Sequence, residues 1–192
     1  MNAPKEPLPP AAGGELLAAA QRGEEAALAQ VIGLYQNRVA AYILTITGEE
    51  ASVDDLAQTS FVRMARHFGR LRSLDSFEPW LFRIARNACL SHLRHRKISR
   101  LFEAFSLRDH DRPVAAASPG DEGQVGTLAW LREALLRLPP AQRELLGLIQ
   151  EQELSYEELA HITGSSVSAV KSRLFRAREQ LRRWRKNEIA TA

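Results

Sequence analysis

Cationic side chains recur along one helical stretch near the end of the sequence, at a spacing that suits contact with nucleic acid. In residues 167–183 the apolar residues repeat at the three- and four-residue spacing of one helix face. Lys171, Arg173 and Arg176 fall outside that repeat, with Ser172 beside them. Guanidinium and ammonium groups on a helix can bind phosphates, and arginine can also bond to the edge of guanine. This stretch therefore predicts a DNA contact.

The preceding segment has the pattern of a short helix and a turn. Ser155 with Glu158 matches a capping box, which marks a helix start. Gly164 can take the positive φ that ends this helix, and Ser165 or Ser166 can cap the next one. The combination predicts a helix-turn-helix whose second helix enters a DNA major groove. A surface helix hairpin with a solvated basic face is the alternative.

The net charge of +3 is unevenly distributed along the chain. Residues 63–100 hold ten Lys and Arg against two acidic residues, and residues 171–186 hold eight against one. Between these blocks, residues 101–126 hold two Arg against five acidic residues. Two basic blocks separated by an acidic segment predict two nucleic-acid contacts, although a run of charges can also be a solvated face.

The composition gives no support to a metal site, a catalytic site or a membrane span. Cys89 is the single cysteine, so an internal disulfide and a cysteine-based metal site are excluded, and we expect a small buried residue there. The five histidines lack metal-ligand spacing with carboxylates, and no phosphate-binding loop is present. Apolar runs are shorter than the roughly 20 residues of a membrane span, and residues 1–14 do not resemble a signal peptide. We therefore expect a cytoplasmic protein that is not an enzyme, has no metal or cofactor and does not insert into the membrane.

Apolar periodicity predicts an all-α protein with two small helical domains joined by a flexible linker. Helices are predicted at 15–21, 24–46, 52–67, 79–96, 128–138 and 141–150, ahead of the helix-turn-helix. Ser52 is predicted to cap the third of these helices. The predicted boundaries are a disordered N-terminus at 1–14, a first domain at 15–100, an acidic linker at 101–126, a second domain at 127–186 and a tail at 187–192.

Two blocks of sequence resemble the bacterial sigma factors of RNA polymerase, specifically the small extracytoplasmic-function (ECF) class. The first is DDLAQTSFVRMAR at 54–66 with SFEPWLFRIARNACLSHLRHRK at 76–97. The second is LREALLRLPPAQRELLGLIQEQELSYEELAHITGSSVSAVKSRLFRAREQLRR at 131–183. Both blocks occur in the order that the family has. The resemblance implies a sigma factor that binds core polymerase and opens promoters, with region 2 in the first domain and region 4 in the second.

The resemblance also implies roles for three sets of residues. A docking set on the third helix would bind core RNA polymerase: Asp54, Asp55 and Gln58. A minus-ten set would bind the non-template strand and hold one flipped base: Arg72, Ser73, Leu74, Asp75, Ser76, Trp80, Arg83, Arg86 and Asn87. A minus-thirty-five set would bind duplex DNA: Ser168, Lys171, Ser172, Arg173 and Arg176.

Some of these assignments have alternatives. Asp54 and Asp55 could instead complement the helix dipole, an effect of about 0.3–1 kcal/mol each. Trp80 could be a core residue that locks two helices rather than a stacking platform for a base. The family commonly has Gly-Thr where this chain has Ser168–Ala169, so a threonine hydroxyl that could contact a phosphate or a base is absent, which leaves the sequence preference at that point open.

The resemblance implies further partners and leaves rival functions open. The acidic linker, with Asp109, Asp111, Asp121 and Glu122, would lie on the path of the growing RNA, and its charge would ease its displacement. Members of the class are usually restrained by an anti-sigma factor, so such a partner is expected. A stand-alone helix-turn-helix regulator, or a sigma-like module acting mainly through a regulatory partner, remains an alternative.

Overall fold

Helices make up the regular structure throughout the parts of the chain that are described. The computed structural model describes residues 10–106, 124–151 and 154–191. The α-helices in these ranges are α1 Pro10–Gln21, α2 Glu25–Thr47, α3 Val53–His67, α4 Phe77–Ser106, α5 Gln124–Arg137, α6 Pro140–Glu151, α7 Tyr156–Thr163 and α8 Val167–Thr191. Single 3-10 turns occur at Glu50–Ser52, Phe68–Arg70 and Leu74–Ser76. The predicted all-α class is confirmed.

Two glycines and one serine fix helix ends close to the predicted helix boundaries. Gly48 has φ +71° and donates its N–H to the Leu44 carbonyl, which ends α2. Gly164 has φ +63° and ends α7, since a side chain is disfavoured in this conformation. The Ser155 hydroxyl accepts from the Glu158 N–H, and the Glu158 carboxylate accepts from the Ser155 N–H at 2.8 Å. The helix-turn-helix at α7 and α8 therefore has the predicted cap and turn.

The prediction that Ser52 caps α3 is wrong. A 3-10 turn runs directly into α3, which leaves Ser52 with φ −99° and ψ −5°. In this conformation its hydroxyl points backwards and donates to the Glu49 carbonyl at 3.1 Å. The first turn of α3 has no side-chain cap at this position. The negative charges of Asp54 and Asp55 instead stabilise the positive end of the helix dipole.

Several helices are longer than predicted. Helix α4 continues to Ser106 and α8 to Thr191, because no glycine or proline occurs in either stretch to stop it. Helix α1 begins at Pro10, within the N-terminus expected to be disordered, and α5 begins at Gln124. The predicted linker at 101–126 is therefore helical at both of its ends. Its acidic residues Asp109, Asp111, Asp121 and Glu122 lie outside the described residues.

The first helical unit, α1–α4, is built around aromatic and aliphatic side chains that are shielded from water. The fully buried side chains of α2, α3 and α4 include Val31, Val39, Tyr42, Ile43, Met64, Leu81 and Phe82. The rings of Tyr42 and Phe82 meet edge to face at 5.3 Å. Cys89 is also fully buried, as expected for a small apolar residue. Burial of this face fixes which side of α3 and α4 remains available to a partner.

The second helical unit, α5–α8, packs directly on the first. Helix α6 lies against α2, and α7 lies against α4, so buried residues of both units form one continuous core. Gly147 on α6 allows this close approach, because a Cβ atom there would lie 3.0 Å from Thr45 Cγ2 on α2. At the rim, the Arg132 guanidinium donates to the Glu50 carboxylate at 2.8 Å. The two units therefore meet through apolar contacts, with the Arg132–Glu50 pair at the rim.

Candidate nucleic-acid interfaces

Helix α3 presents the docking set on its exposed side. Asp54, Asp55 and Gln58 are all exposed, while Leu56 and Phe61 are buried against the core. This matches the sidedness expected from helical periodicity. The arrangement provides two carboxylates and one amide on a single face, which suits a basic partner surface.

A short loop between α3 and α4 carries the first part of the minus-ten set. Arg72, Ser73, Asp75 and Ser76 are exposed, and Leu74 is half-buried against the core. The loop is flanked by the 3-10 turn Phe68–Arg70, and it ends in the 3-10 turn at 74–76. It therefore offers hydroxyl, carboxylate and guanidinium groups to a ligand while one leucine anchors it.

An aromatic cluster lies under this loop and includes Trp80. The Trp80 ring stacks on Phe68 with centroids 5.9 Å apart and an interplanar angle of 27°. Phe68 in turn contacts Phe77 at 4.9 Å, and Phe77 contacts Tyr35 edge to face at 5.3 Å. Trp80 thus makes the core contacts expected of a residue that locks two helices together, and it is only partly buried.

Helix α4 directs its remaining polar residues towards the second helical unit. Arg83 and Asn87 are exposed, and Arg86 is half-buried. Together with His161 and Ser165 these side chains line an open cleft of about 470 Å³ between α4 and the turn that joins α7 to α8. The cleft places the helical part of the minus-ten set opposite the helix-turn-helix.

Arg86 forms an ion pair across the interface with Glu144 of α6. Glu144 is only 4% exposed. Burial raises the pKa of the Glu144 carboxyl, and the neighbouring Arg86 and Arg173 guanidinium groups partly oppose that rise. Burial is also the main cause of the raised pKa of the Cys89 thiol, about 12, and the charge of Glu144 adds to this rise. The site therefore holds one buried carboxylate between arginines from both predicted DNA-binding sets.

Helix α8 places most of the minus-thirty-five set on its outer face. Ser168, Lys171, Ser172 and Arg176 are exposed. The Lys171 ammonium lies 5.1 Å from the centre of the Tyr156 ring, a cation–π contact between α8 and α7. These residues form an exposed, largely polar face.

Arg173 departs from the expected placement. It is half-buried, and its guanidinium donates to Ser165 Oγ at 2.7 Å. It also lies near enough to Glu144 to influence the carboxyl pKa. The prediction placed Arg173 with the outward cations because it falls outside the apolar repeat, but a buried carboxylate and a serine hydroxyl attract its guanidinium inwards.

Phe175 belongs to the outer face of α8 and was not predicted there. Its side chain is 66% exposed. Phe175 follows Lys171 by four residues and Ser172 by three, so it shares their face. The signal was present in the sequence, because Phe175 lies off the apolar repeat formed by Val170 and Leu174. A large exposed aromatic side chain on this predicted DNA-binding face would suit contact with base edges or thymine methyl groups.

The described residues hold no group of three or more His, Cys, Asp or Glu that could bind a metal ion. In the same parts of the chain, no helix combines the length and the apolar character that crossing a membrane requires.

Comparisons with known proteins match both helical units to one family. Residues 31–98 match the model of sigma-70 region 2, and residues 128–181 match that of sigma-70 region 4. The RNA polymerase sigma-H factor of Pseudomonas aeruginosa is 30% identical over 179 residues, covering 87% of this chain and 90% of that protein. The ECF RNA polymerase sigma factor SigM of Bacillus subtilis is 32% identical over 158 residues, covering 80% and 91%.

A solved structure supports the same relationship. The sigma factor RpoE of Bartonella quintana, in complex with the anti-sigma factor NepR, has a TM-score of 0.66 and 25% identity. The alignment covers 82% of this chain and 95% of that one. With both regions in order, the chain belongs to the RNA polymerase sigma factors of the extracytoplasmic-function class.

Proposed function

We propose that this chain directs transcription initiation by binding core RNA polymerase and holding a promoter at two elements. The loop at 71–76 with α4 would capture the opened minus-ten strand, and α8 would bind the minus-thirty-five duplex. The observation that carries this proposal is the exposure of polar and cationic side chains on both surfaces, one on each helical unit. Because promoter opening makes and breaks no covalent bond, binding energy must offset the free energy of strand separation, on the order of 1.4 kcal/mol per base step.

Docking on polymerase would use the exposed face of α3. Asp54 and Asp55 add negative charge to a helix start, and Gln58 lies one turn further on the same side. Complementary charge would orient the factor before contact and raise the association rate. All three side chains are free of the apolar core, so substitutions there should test binding at a small cost to folding, about 0.3–1 kcal/mol for each acidic residue at the helix start.

Capture of the minus-ten strand would use the loop and the polar face of α4. Asn87 offers an amide that can donate to and accept from the edge of an unstacked base. Arg72 and Arg83 are exposed and can hold phosphates. Arg86 is engaged with Glu144 in this structure, so it would join the DNA contact only after the two helical units separate.

Duplex recognition would use the outer face of α8. Arg176 is exposed and can make a bidentate contact to guanine. Lys171 and Ser172 would hold the phosphate backbone, and Phe175 would contact apolar base edges. Arg173 would contribute less, since its guanidinium already bonds to Ser165.

An anti-sigma factor is a further proposed partner, and the cytoplasm is the proposed location, because core polymerase acts there. The related RpoE of Bartonella quintana is bound to such a factor. The open cleft between α4 and the α7–α8 turn is a surface at which a partner could hold the two units together or apart.

The test is promoter-specific transcription in vitro with core polymerase, this protein and a pool of fragments from the source genome. Specific run-off products that need both proteins support the proposal. Asp54→Lys, Asn87→Ala and Arg176→Ala should each reduce them, while Arg137→Ala, at an exposed arginine outside the three sets, should not. Shifts of duplex DNA by the protein alone, without run-off products, would instead identify a stand-alone helix-turn-helix regulator.

A further inference from the structure

The loop that carries Arg72–Ser76 is held at its start by a side chain from α1. Gln21, the last residue of α1, donates its amide to the Leu71 carbonyl at 2.7 Å and to the Phe68 carbonyl at 3.4 Å. These two carbonyls bracket the point where the 3-10 turn gives way to extended backbone, with Leu71 at φ −68° and ψ 122°. A single amide therefore fixes the direction in which the chain enters the loop.

The end of the same loop is held by a second set of contacts. Glu78, in the first turn of α4, accepts from the Tyr35 hydroxyl at 2.8 Å. The Arg38 guanidinium donates to both of its carboxylate oxygens, at 2.9 and 3.1 Å. Tyr35 and Arg38 are both on α2, and the guanidinium lies over the Tyr35 ring at 5.1 Å. A bidentate pair fixes direction as well as distance, so the start of α4 is aligned on α2.

Between these two clamps the loop has little internal support. The Leu71 N–H bonds to the Phe68 carbonyl at 3.0 Å and the Ser76 N–H to the Ser73 carbonyl at 3.2 Å. Leu74 provides an apolar anchor, while the other side chains from Arg72 to Ser76 are exposed. The shape of the loop therefore depends on what holds its ends.

We propose that Gln21 and Glu78 are positioning residues for strand capture: they hold the loop in the shape that receives an unstacked base. The assignment rests on the proposed function of this loop. A loop already ordered in its bound shape loses less conformational freedom on binding and so binds more tightly. It follows that α1, which lies outside the residues matched by the region 2 model, helps to position the strand-capture loop.

The experiment compares Gln21→Ala and Glu78→Gln with two exposed controls, Gln30→Ala and Glu25→Gln. Each variant is assembled with core polymerase. Fluorescence anisotropy then measures binding to a single-stranded oligonucleotide carrying the minus-ten element of a promoter found by run-off transcription. Both test variants should bind this strand about tenfold more weakly. For both test variants, the affinities for core polymerase and for a minus-thirty-five duplex should stay within about twofold of the wild type. The two control variants should stay within the same range in all three binding assays.

A second readout needs no DNA. Loosening of the loop should raise the rate at which trypsin cuts after the exposed Arg72, with the cut site identified by mass spectrometry. Gln21→Glu should act more strongly than Gln21→Ala, because a carboxylate would face the Leu71 and Phe68 carbonyls without a proton to donate.

Three results would overturn the assignment. Equal losses in strand, duplex and polymerase binding would mean that Gln21 and Glu78 support the fold in general. Unchanged strand binding and unchanged cleavage at Arg72 would mean that the loop keeps its shape without them. If the wild-type holoenzyme itself fails to bind the strand, the proposed function fails, and the assignment fails with it.

Discussion

The Nε–H group of Arg86 on α4 donates a hydrogen bond to the Glu144 carboxylate on α6, and this ion pair joins the two helical units. Counting side-chain atoms alone, Arg86 is 20% exposed and Glu144 is 6% exposed, so the contact is largely shielded from water. Arg86 belongs to the minus-ten set, and its neighbours Arg83 and Asn87 line the cleft beside the helix-turn-helix. In this conformation, a surface proposed to bind DNA is turned towards the second unit of the same chain. Promoter binding through Arg86 therefore requires the units to move apart.

Replacing Glu144 by Gln should raise the free energy of unfolding at pH 8. Burial raises the pKa of Glu144 despite the nearby Arg86 and Arg173, so the charged carboxylate is disfavoured in the folded state. Glutamine removes that charge and keeps an oxygen that can accept from Arg86. Urea denaturation followed by circular dichroism measures the difference.

The stability of the wild type and that of Glu144→Gln should depend differently on pH. Because the folded-state pKa of Glu144 lies above its unfolded value, the wild type gains stability relative to Glu144→Gln as pH falls through the raised pKa. The gain should be complete below the ordinary value of 4.5, where the two proteins should be about equally stable. Glu133→Gln, at an exposed residue on α5, serves as the control. A wild type that is more stable at pH 8 and loses this advantage in acid would contradict the prediction.

A side chain at Gly147 should force the two helical units apart. A Cβ atom there would lie 3.0 Å from Thr45 Cγ2 and 3.5 Å from the Tyr42 ring, and the branched valine of Gly147→Val adds two methyl groups. The expected result is a larger radius of gyration by small-angle X-ray scattering, with helical circular dichroism retained. Gly33→Ala, where an added Cβ meets nothing within 4 Å, should leave the radius unchanged. A compact Gly147→Val protein would mean that α6 can shift without separating the units.

The features that could be predicted from the sequence depend on residues close together in the chain. The capping box of Ser155 and Glu158 and the left-handed turns at Gly48 and Gly164 involve neighbours a few residues apart. Apolar repeats likewise placed Asp54 and Gln58 on the outer face of α3. Both kinds of signal follow from the geometry of a single helix, so they do not depend on what packs against it.

The features that could not be predicted depend on contacts between distant segments. Glu144 looks like an ordinary polar residue in α6, and only the packing of α6 on the first unit buries it against Arg86, 58 residues earlier. Gln21 reaches the Leu71 carbonyl across 50 residues. Arg173 turns inwards because Ser165 and Glu144 are both available to it. Periodicity indicates that a residue lies off the apolar stripe, but not which partner it then finds.

Phe175→Ala should weaken duplex binding without weakening the fold. The side chain is 66% exposed, so its loss should change the free energy of unfolding by less than about 0.5 kcal/mol. Loss of apolar contact with base edges should reduce the affinity of the holoenzyme for the minus-thirty-five duplex about tenfold. Ile98→Ala, at an exposed apolar residue on α4, should reduce neither the free energy of unfolding nor the affinity for the duplex. A clear loss of stability in Phe175→Ala would indicate that the ring serves packing rather than recognition.

The three cations of the minus-thirty-five set should contribute unequally to duplex binding. Arg176→Ala should cost about 1–3 kcal/mol and relax sequence preference at one base pair, because the exposed guanidinium can reach guanine. Lys171→Ala should weaken all sequences alike and reduce the slope of log affinity against log salt by about one. Arg173→Ala should change affinity by less than about threefold, since this arginine is bonded to Ser165. Fluorescence anisotropy over a salt series, with matched and mutated duplexes, separates these effects. Equal losses for Arg173→Ala and Arg176→Ala would mean that Arg173 leaves Ser165 when DNA binds.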